Sequence, residues 1–413
     1  MIRQERIHDI AIVGAGPAGL ALALAMKAAA GARIDVAVVD RASGEVAPDP
    51  RGWAIAEGPR RVLDGLGAWA PVAAQSGQVT EMVISDTPLR DAVRPPILNL
   101  PALAGGADAG EDAVAWIVPA GALHAALMDL ARESDIDFHF GAGVTGLERT
   151  GAHAALAMEN GATIAARLVV AADGARSRLR KMAGIRTVGW DYDQFGIVTT
   201  VSHEFPHEGR AFQHFLPGGP FALLPLPGNE SSVVWTEPAD KARRLLELGE
   251  LEFLAELALR AGPELGEFEL AGPRGGYPLN LMMARQFAAQ RLALIGDAAH
   301  RVHPLAGQGL NLGLKDVAAL AEVIIDSMRL GIDPGAVTQL QRYERWRRFD
   351  VFQMAVATDA LNRIFAPDIA PLRMLRDLGM GIVDRSGLLK KWMLREASGT
   401  TGTLPKLVQG QPL

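Results

Sequence analysis

The sequence predicts an α/β fold. A parallel-sheet domain is assembled from separated stretches of chain, an antiparallel-sheet domain is inserted between them, and a helical region follows towards the C-terminus. Three observations carry this reading. A hydrophobic run ends in Gly14-Ala-Gly-Pro-Ala-Gly19 and passes into an alanine-rich segment. Two later apolar runs end in Asp173-Gly174 and Gly296-Asp297. Between them, from Phe195 to Thr236, short apolar runs alternate with glycine and proline, as antiparallel strands joined by tight turns do.

In chain order, Ile7 to Val13 reads as a strand, Ala18 to Ala29 as a helix and Val36 to Asp40 as a second strand. Glu57 to Leu66 looks helical, and Val79 to Asp86 alternates as a strand does. Thr87 to Glu111, rich in Pro, Gly and Ala, is expected to be irregular. Leu123, Leu127 and Leu130 recur at helical spacing and predict a helix over Gly121 to Glu133. Strands are expected around Phe138, Thr163 and Val169, a helix over Glu247 to Arg260, and a buried strand over Leu292 to Ile295. Beyond Gly309 nearly everything reads as helix, down to a polar tail rich in Gly, Thr and Pro. The boundaries drawn from this pattern place the first domain at 1–78, 113–190 and 277–330, the inserted sheet at 79–112 and 191–276, and the helical region at 331–413.

A chain of 413 residues can bury a large core and form more than one lobe. A net charge of −6 without a long basic run argues against nucleic acid as a partner. The absence of cysteine excludes disulfides, thiolate metal sites and a cysteine nucleophile, and fits a cytoplasmic protein. Ile10 to Met26 is uncharged and superficially like a signal peptide, but Gly14, Gly16, Pro17 and Gly19 would interrupt such a helix. No other segment approaches the ~20 apolar residues of a spanning helix.

The glycines sit where a dinucleotide fingerprint needs them. Gly14 allows a tight turn, Gly16 lets a pyrophosphate approach the backbone, and Gly19 lets helix and strand pack closely. Asp40, closing the second strand, is placed to hold ribose hydroxyls. By itself this motif does not separate NAD from FAD. Gly141-Ala-Gly-Val-Thr-Gly146 matches by letters, but an alternating run and no helix follows it, so one dinucleotide fold is expected. Val169 to Asp173 is another buried strand, with Ser177 placed to cap a basic helix. Gly296-Asp297 opens a glycine-punctuated loop leading to a helix near Gly309. An acid at a strand end beside bared helix amides suits a ligand with both hydroxyls and anionic oxygens. Together the segments point to FAD.

In this trio the chain resembles the single-component flavin-dependent aromatic hydroxylases over nearly its whole length. Pro220 to Pro227, Ser232 to Thr236, Tyr277-Pro278-Leu279, Tyr343 to Asp350, Leu361 to Phe365 and Leu375 to Gly379 are similar to the ubiquinone-biosynthesis branch. The resemblance implies that Gly14, Ala15, Gly16, Pro17 and Gly19 form the pyrophosphate turn, and that Asp40, with Arg41 beside it, holds the adenosine ribose. It implies that Arg51 lies near the flavin and its phosphates, that Asp173 serves both FAD and the reducing nicotinamide, and that Asp297 binds the flavin's linking hydroxyls. Pro304, Gly307, Gly309, Leu310 and Asn311 would line the isoalloxazine ring. One departure stands out: before the Gly121 helix many relatives carry a polar side chain, whereas Ile117-Val-Pro-Ala120 offers only backbone.

The implied activity is an FAD-dependent monooxygenase that hydroxylates the aromatic ring of a polyprenylated phenol or quinone precursor. It would use NAD(P)H and O₂ through a flavin C4a-hydroperoxide. The alternatives are a hydroxylase of a small soluble aromatic acid, a flavin reductase of isoprenoid chains, and a non-catalytic FAD-binding member of a biosynthetic complex. The expected partner is a hydrophobic aromatic substrate. Peripheral contact at the inner membrane face, a biosynthetic complex and a homo-oligomer stay open.

His300 and His303 stand at a metal-like spacing, but Pro304 breaks a helix there and no third ligand is near, so no metal site is expected and both should shape the cofactor loop. His214, in Ala211 to Leu216, is expected to be a structural histidine, with a hydrogen bond to a phenolic substrate as the weaker alternative. Val337, Leu340, Tyr343, Trp346, Phe349 and Phe352 recur every three residues and are expected to pack in the core, leaving a solvated basic face. Leu388 to Arg395, short, apolar and basic, suits either a membrane or partner surface or intramolecular packing.

Overall fold

The computed structural model describes residues 6–89, 91, 93–102, 113–304, 307–365, 386, 398–400 and 402–413. The Leu388 to Arg395 and Leu375 to Gly379 segments lie outside the described residues.

Three sheets organise the described residues. In the first, the strands Leu292–Leu294, Thr163–Ala171, Ile7–Val13, Val36–Asp40 and Asp137–Phe140 lie side by side in that order, all parallel. The strands Val144–Arg149 and Ala154–Met158 add an antiparallel hairpin to the start of Thr163–Ala171. Continuous Val/Ile/Leu/Ala runs form the central strands because helices cover both faces of a parallel sheet. The helix Pro17–Ala30 is buried from Gly19 to Met26, all round its circumference. Its alanines and glycines allow close approach: a Cβ on Gly313, in the helix Gln308–Arg329, would sit 3.5 Å from Gly296 Cα and 3.8 Å from Ala18 Cβ.

The second sheet is mainly antiparallel and larger than the Phe195 to Thr236 stretch suggests. Its spine is the 17-residue strand Thr187–His203, flanked by Gly275–Ala284 on one side and Glu230–Pro238, Gly219–Leu226 and Arg210–Leu216 on the other. Glu81–Ser85 then joins parallel to Arg210–Leu216. A small third sheet, Gly52–Ile55, Ala115–Pro119 and Gly77–Val79, bridges the two.

Several elements differ from expectation. The run Val79 to Asp86 is split between two sheets at Thr80, whose N–H turns to the Gly209 carbonyl at 2.9 Å. Within the stretch expected to be irregular, Leu98–Pro101 is a strand on Glu81–Ser85, with Leu98 and Leu100 buried in alternation. Helix begins earlier than Glu247: Ala239–Glu247 follows Pro238, and a second helix, Glu250–Ala261, restarts at Gly249, whose N–H donates to Glu252. The helix Val337–Phe365 buries Leu340, Tyr343, Arg347, Val351, Ala355, Thr358 and Asn362, while Val337, Phe349 and Phe352 stand exposed. A period of three falls about 60° short of a full helical turn at each step, so the expected stripe winds around the helix instead of keeping to one face.

Candidate functional site

The C-terminal ends of the parallel strands converge on one cleft of about 2080 Å³, mouth included. Gly14 follows the first strand with φ +114°, and its N–H donates to the Val39 carbonyl at 2.8 Å. A Cβ on Gly14 would strike the Ala172 carbonyl, and one on Gly19 the Gly14 carbonyl. Both glycines are therefore required by the protein's own packing. Gly16 is different: its φ is −74° and a Cβ there would meet nothing within 4 Å. It lines the cleft with Pro17 and Ala18. The space it leaves is a cradle, and the helix it begins has neither a side-chain cap nor an acid in its first turn. The helix Gln308–Arg329 opens on the same cleft, also without a side-chain cap, after Gly307 in the left-handed region at φ +64°. Two sets of unfilled backbone donors thus face one space, a ready anion site. These features fit a dinucleotide's pyrophosphate and the electron-rich edge of a flavin.

Asp40 sits beside the fingerprint: its carboxylate accepts from Ala15 N–H at 2.7 Å and Ala42 N–H at 2.8 Å. Arg41 next to it is exposed. Arg51 lines the cleft, its guanidinium bonded to Asp49 at 2.9 Å and lying 5.5 Å from the Trp53 ring centre. Hydrogen bonding to Asp49 holds Arg51 above its ordinary pKa. Asp297, on the turn Gly296–Ala298, is exposed into the cleft. Pro304, Gly307, Gly309, Leu310 and Asn311 line it as well. Asn311 spends its side chain on the neighbouring strand, donating to the Ala54 carbonyl at 2.8 Å and accepting from Ala56 N–H at 3.1 Å. It thereby pins the helix start against Gly52–Ile55.

Asp173 does not line the cleft, although its neighbours Ala172 and Gly174 do. Its carboxylate accepts from the N–H groups of Arg178 and Leu179, and Ser177 caps Arg180 N–H at 3.0 Å as its position suggested. The buried Arg180 guanidinium then reaches the Ala298 carbonyl at 2.7 Å, tying the Asp-Gly segment to the Gly-Asp turn. Sequence reading took Arg180 for part of a basic helix and missed this link.

His124 was missed too. Its Nε2 lies 2.8 Å from the Ala15 carbonyl, so a polar group does reach the fingerprint turn from the helix that follows Ile117-Val-Pro-Ala120. The signal was a lone histidine inside the helix Ala120–Glu133. Behind the Gly-Asp turn lies a buried ionic cluster that the sequence also concealed. Asp316 accepts from Gly296 N–H at 3.0 Å, from Arg347 Nε at 2.8 Å and from His300 Nε2 at 2.5 Å. His303 is fully buried, packed edge-on to Tyr192 at 5.1 Å.

The other half of the cleft is the large sheet, presented through Val198, Ala211, Ala222, Leu224, Val234 and Leu279, with Met82 and Ile117 beside them. Gln213, Thr236, Tyr277 and Asn280 are the polar side chains that this sheet brings to the cleft, with Arg301 at its edge. His214 is not on it. The imidazole is buried, with Nδ1 2.7 Å from Ser85 Oγ and its ring stacked near Phe221. Burial, with Arg94 nearby, pushes its pKa down to about 3, so it is neutral and enclosed. The alternative of a substrate-facing His214 finds no support in this placement. Arg210, at the start of the strand Arg210–Leu216, pairs with Glu208 and lies off the cleft.

A nucleotide cleft whose ring-side loop faces an apolar sheet defines a flavin-dependent monooxygenase. The chain belongs to the FAD binding domain family, whose sequence model matches residues 8–356. It falls with the ubiquinone hydroxylases. It is 42% identical over 421 aligned residues to the ubiquinone hydroxylase UbiL of Rhodospirillum rubrum, covering 99% of this chain and 94% of that one. It is 33% identical to the 3-demethoxyubiquinol 3-hydroxylase of Escherichia coli, covering 95% and 98%. Its fold matches that of p-nitrophenol 4-monooxygenase PnpA from Pseudomonas putida, with a TM-score of 0.79 at 20% identity and coverage of 97% and 100%. FAD is the family's cofactor, and the fold class expected from the sequence is the one observed. No helix among the described residues is long and apolar enough to cross a membrane.

Proposed function

We propose that this FAD-dependent monooxygenase hydroxylates the aromatic ring of a polyprenylated phenol or quinone precursor in ubiquinone biosynthesis, with NAD(P)H as reductant. The observation that carries the substrate class is the sheet wall of the cleft. Its Val198, Ala211, Ala222, Leu224, Val234 and Leu279 are apolar; of the two arginines lining the cleft, Arg51 is bonded to Asp49, and Arg301, on the short edge strand of the same sheet, donates to the Pro278 carbonyl at 3.2 Å. An isoprenoid tail is recognised by such a surface, each buried methylene contributing up to ~0.8 kcal/mol. A benzoate would find a cation only at the edge of that sheet, in Arg301. The named relatives act on substrates of the ubiquinone series, in keeping with this reading.

Bound FAD, once reduced, supplies the oxygen chemistry; the chain supplies position, dryness and electrostatics. Gly16 and Pro17 would carry the pyrophosphate, Asp40 the ribose, Asp297 the linking hydroxyls, and the amides from Gly307 to Asn311 the ring edge. Gln213 and Thr236 are placed to orient a phenolic hydroxyl, and the apolar wall excludes water from the reacting ring. A prenylated precursor resides in a bilayer, so the reading includes peripheral contact of the protein with that surface.

The test is NAD(P)H oxidation and hydroxylated product, measured with prenylated phenols beside hydroxybenzoates. Coupled turnover with the prenylated phenols is expected. Coupled turnover with the short acids alone would replace this reading with hydroxylation of a small aromatic acid. NAD(P)H oxidation without product from either class would remove the substrate assignment.

A further inference from the structure

Away from the cleft, three metal-type side chains converge that no sequence motif marks as a group. His8 on the first strand and Asp137 and His139 on the edge strand Asp137–Phe140 bring one ligand atom each to within 4.8 Å of one another. His8 Nε2 is 3.7 Å and His139 Nε2 3.4 Å from the same oxygen, Asp137 Oδ2. Tetrahedral zinc with bonds of about 2.0–2.1 Å separates its ligand atoms by about 3.3–3.4 Å. Two edges of the triangle are therefore close to coordination spacing before any adjustment.

The surroundings are also those of a metal site. The His8 side chain is 5% exposed, and its other nitrogen, Nδ1, lies 3.1 Å from Asp35 Oδ1, an ion-pair distance without hydrogen-bond alignment that a turn of the ring would bring into line. A carboxylate on the far nitrogen of a ligating histidine fixes its ring and raises its basicity. Asp35 is itself held by Arg6 through two bonds of 2.8 Å. His139 Nε2 is buried and has no hydrogen-bond partner among the described residues. Asp137 and His139 are 35% and 37% exposed, which leaves a route of entry. Arg6 also touches Asp137 Oδ2, at 3.4 Å, but its side chain is 64% exposed and free to withdraw while keeping Asp35.

We propose that His8, Asp137 and His139 bind one divalent transition-metal ion of the zinc class, with Asp35 as the carboxylate that orients His8. Two imidazoles and one carboxylate suit zinc, nickel or copper and disfavour magnesium or calcium. The ion would clip the edge strand to the first strand of the parallel sheet and raise thermal stability without touching the cofactor.

The experiment uses the FAD-loaded protein without a histidine tag, stripped with chelator and titrated with Zn²⁺ by calorimetry and by thermal melting. One equivalent should bind saturably and raise Tm. His139→Gln and Asp137→Asn should each weaken binding at least about tenfold, and Asp35→Asn by about 10–100-fold, with flavin content unchanged. No saturable binding would overturn the proposal. So would a site that survives both ligand substitutions at full affinity, since the histidine and carboxylate named here would then not hold it. If one variant fails to fold, as flavin loss would reveal, the other and the wild-type stoichiometry still decide.

Discussion

Arg347 Nε donates to Asp316 Oδ1 across 2.8 Å, in a place where both side chains are at most 1% exposed. One carboxylate joins two long helices to the turn that carries Asp297, because Asp316 also receives Gly296 N–H and His300. Burial pushes the Asp316 carboxyl up, but His300 and Arg347 outweigh it and hold it below the usual carboxylate range. Asp316→Asn leaves Arg347 buried with only Asp350, 2.7 Å away, as a charged partner. A loss of about 3–5 kcal/mol in stability is expected, together with looser FAD. Urea unfolding of the apo and loaded forms checks both.

Gly16 and Gly19 should fail differently. Gly16→Val places a side chain in open space, so the fold should survive while FAD content collapses. Gly19→Val drives a side chain into the Gly14 carbonyl and should cost the fold itself. Gly143→Val, in the look-alike segment, meets only the movable Glu159 carboxylate, at 2.8 Å, and should leave flavin content intact. Flavin absorbance per protein and circular dichroism separate the three outcomes.

Asp297→Ala removes the exposed carboxylate of the cleft without touching the buried cluster behind it. Charge-assisted hydrogen bonds of about 1.5–3 kcal/mol would be lost, so FAD affinity should fall by roughly 10–150-fold. Equilibrium dialysis measures it. Affinity equal to wild type would mean that the linking hydroxyls are held elsewhere.

Acid should weaken the protein through two buried imidazoles. Burial lowers His214 to about 3 and His303 to about 4, from an ordinary 6.5. Both are neutral when folded and take up a proton when unfolded. Their contribution is therefore full above pH 6.5 and is lost as pH falls towards those folded values, at up to ~1.4 kcal/mol per pH unit for each. His214→Gln should flatten the loss between pH 6 and roughly 4 by about one proton's worth, read from urea midpoints at several pH values.

The parts of the site legible in the sequence are local ones. Gly14, Gly16 and Gly19 act within one turn, and the strand before them and Asp40 after them confirm each other through spacing alone. Ser177 announces itself as a cap three residues before the N–H it accepts. What could not be read depends on distance or on disguise. Asp316 looks like an ordinary surface acid in an amphipathic helix, and Arg347 like one arginine among several. Only packing shows that they are opposite each other. His8 and His139 stand far apart in sequence, and the strand Val36–Asp40 lies between theirs. The helix Ala239–Glu247 was passed over because nine charged and apolar residues are too few for a clear period, and only the turn at Gly249 divides it from the next.

The order of strands in the parallel sheet also sets a timetable. The strand Leu292–Leu294 docks on Thr163–Ala171 and delivers Asp297, whereas the glycine turn belongs to the first strand made. At about 5–20 residues per second, a ribosome needs on the order of 15–60 seconds to pass from one half of the cofactor's seat to the other. Thr163–Ala171, made midway, presents an unpaired edge for the rest of that interval, and until its end the nascent chain has a place for adenosine but none for the flavin's linking hydroxyls. Cofactor capture therefore belongs to the closing stage of synthesis, and the cell's free FAD acts on this protein as the partner that completes a nearly finished sheet.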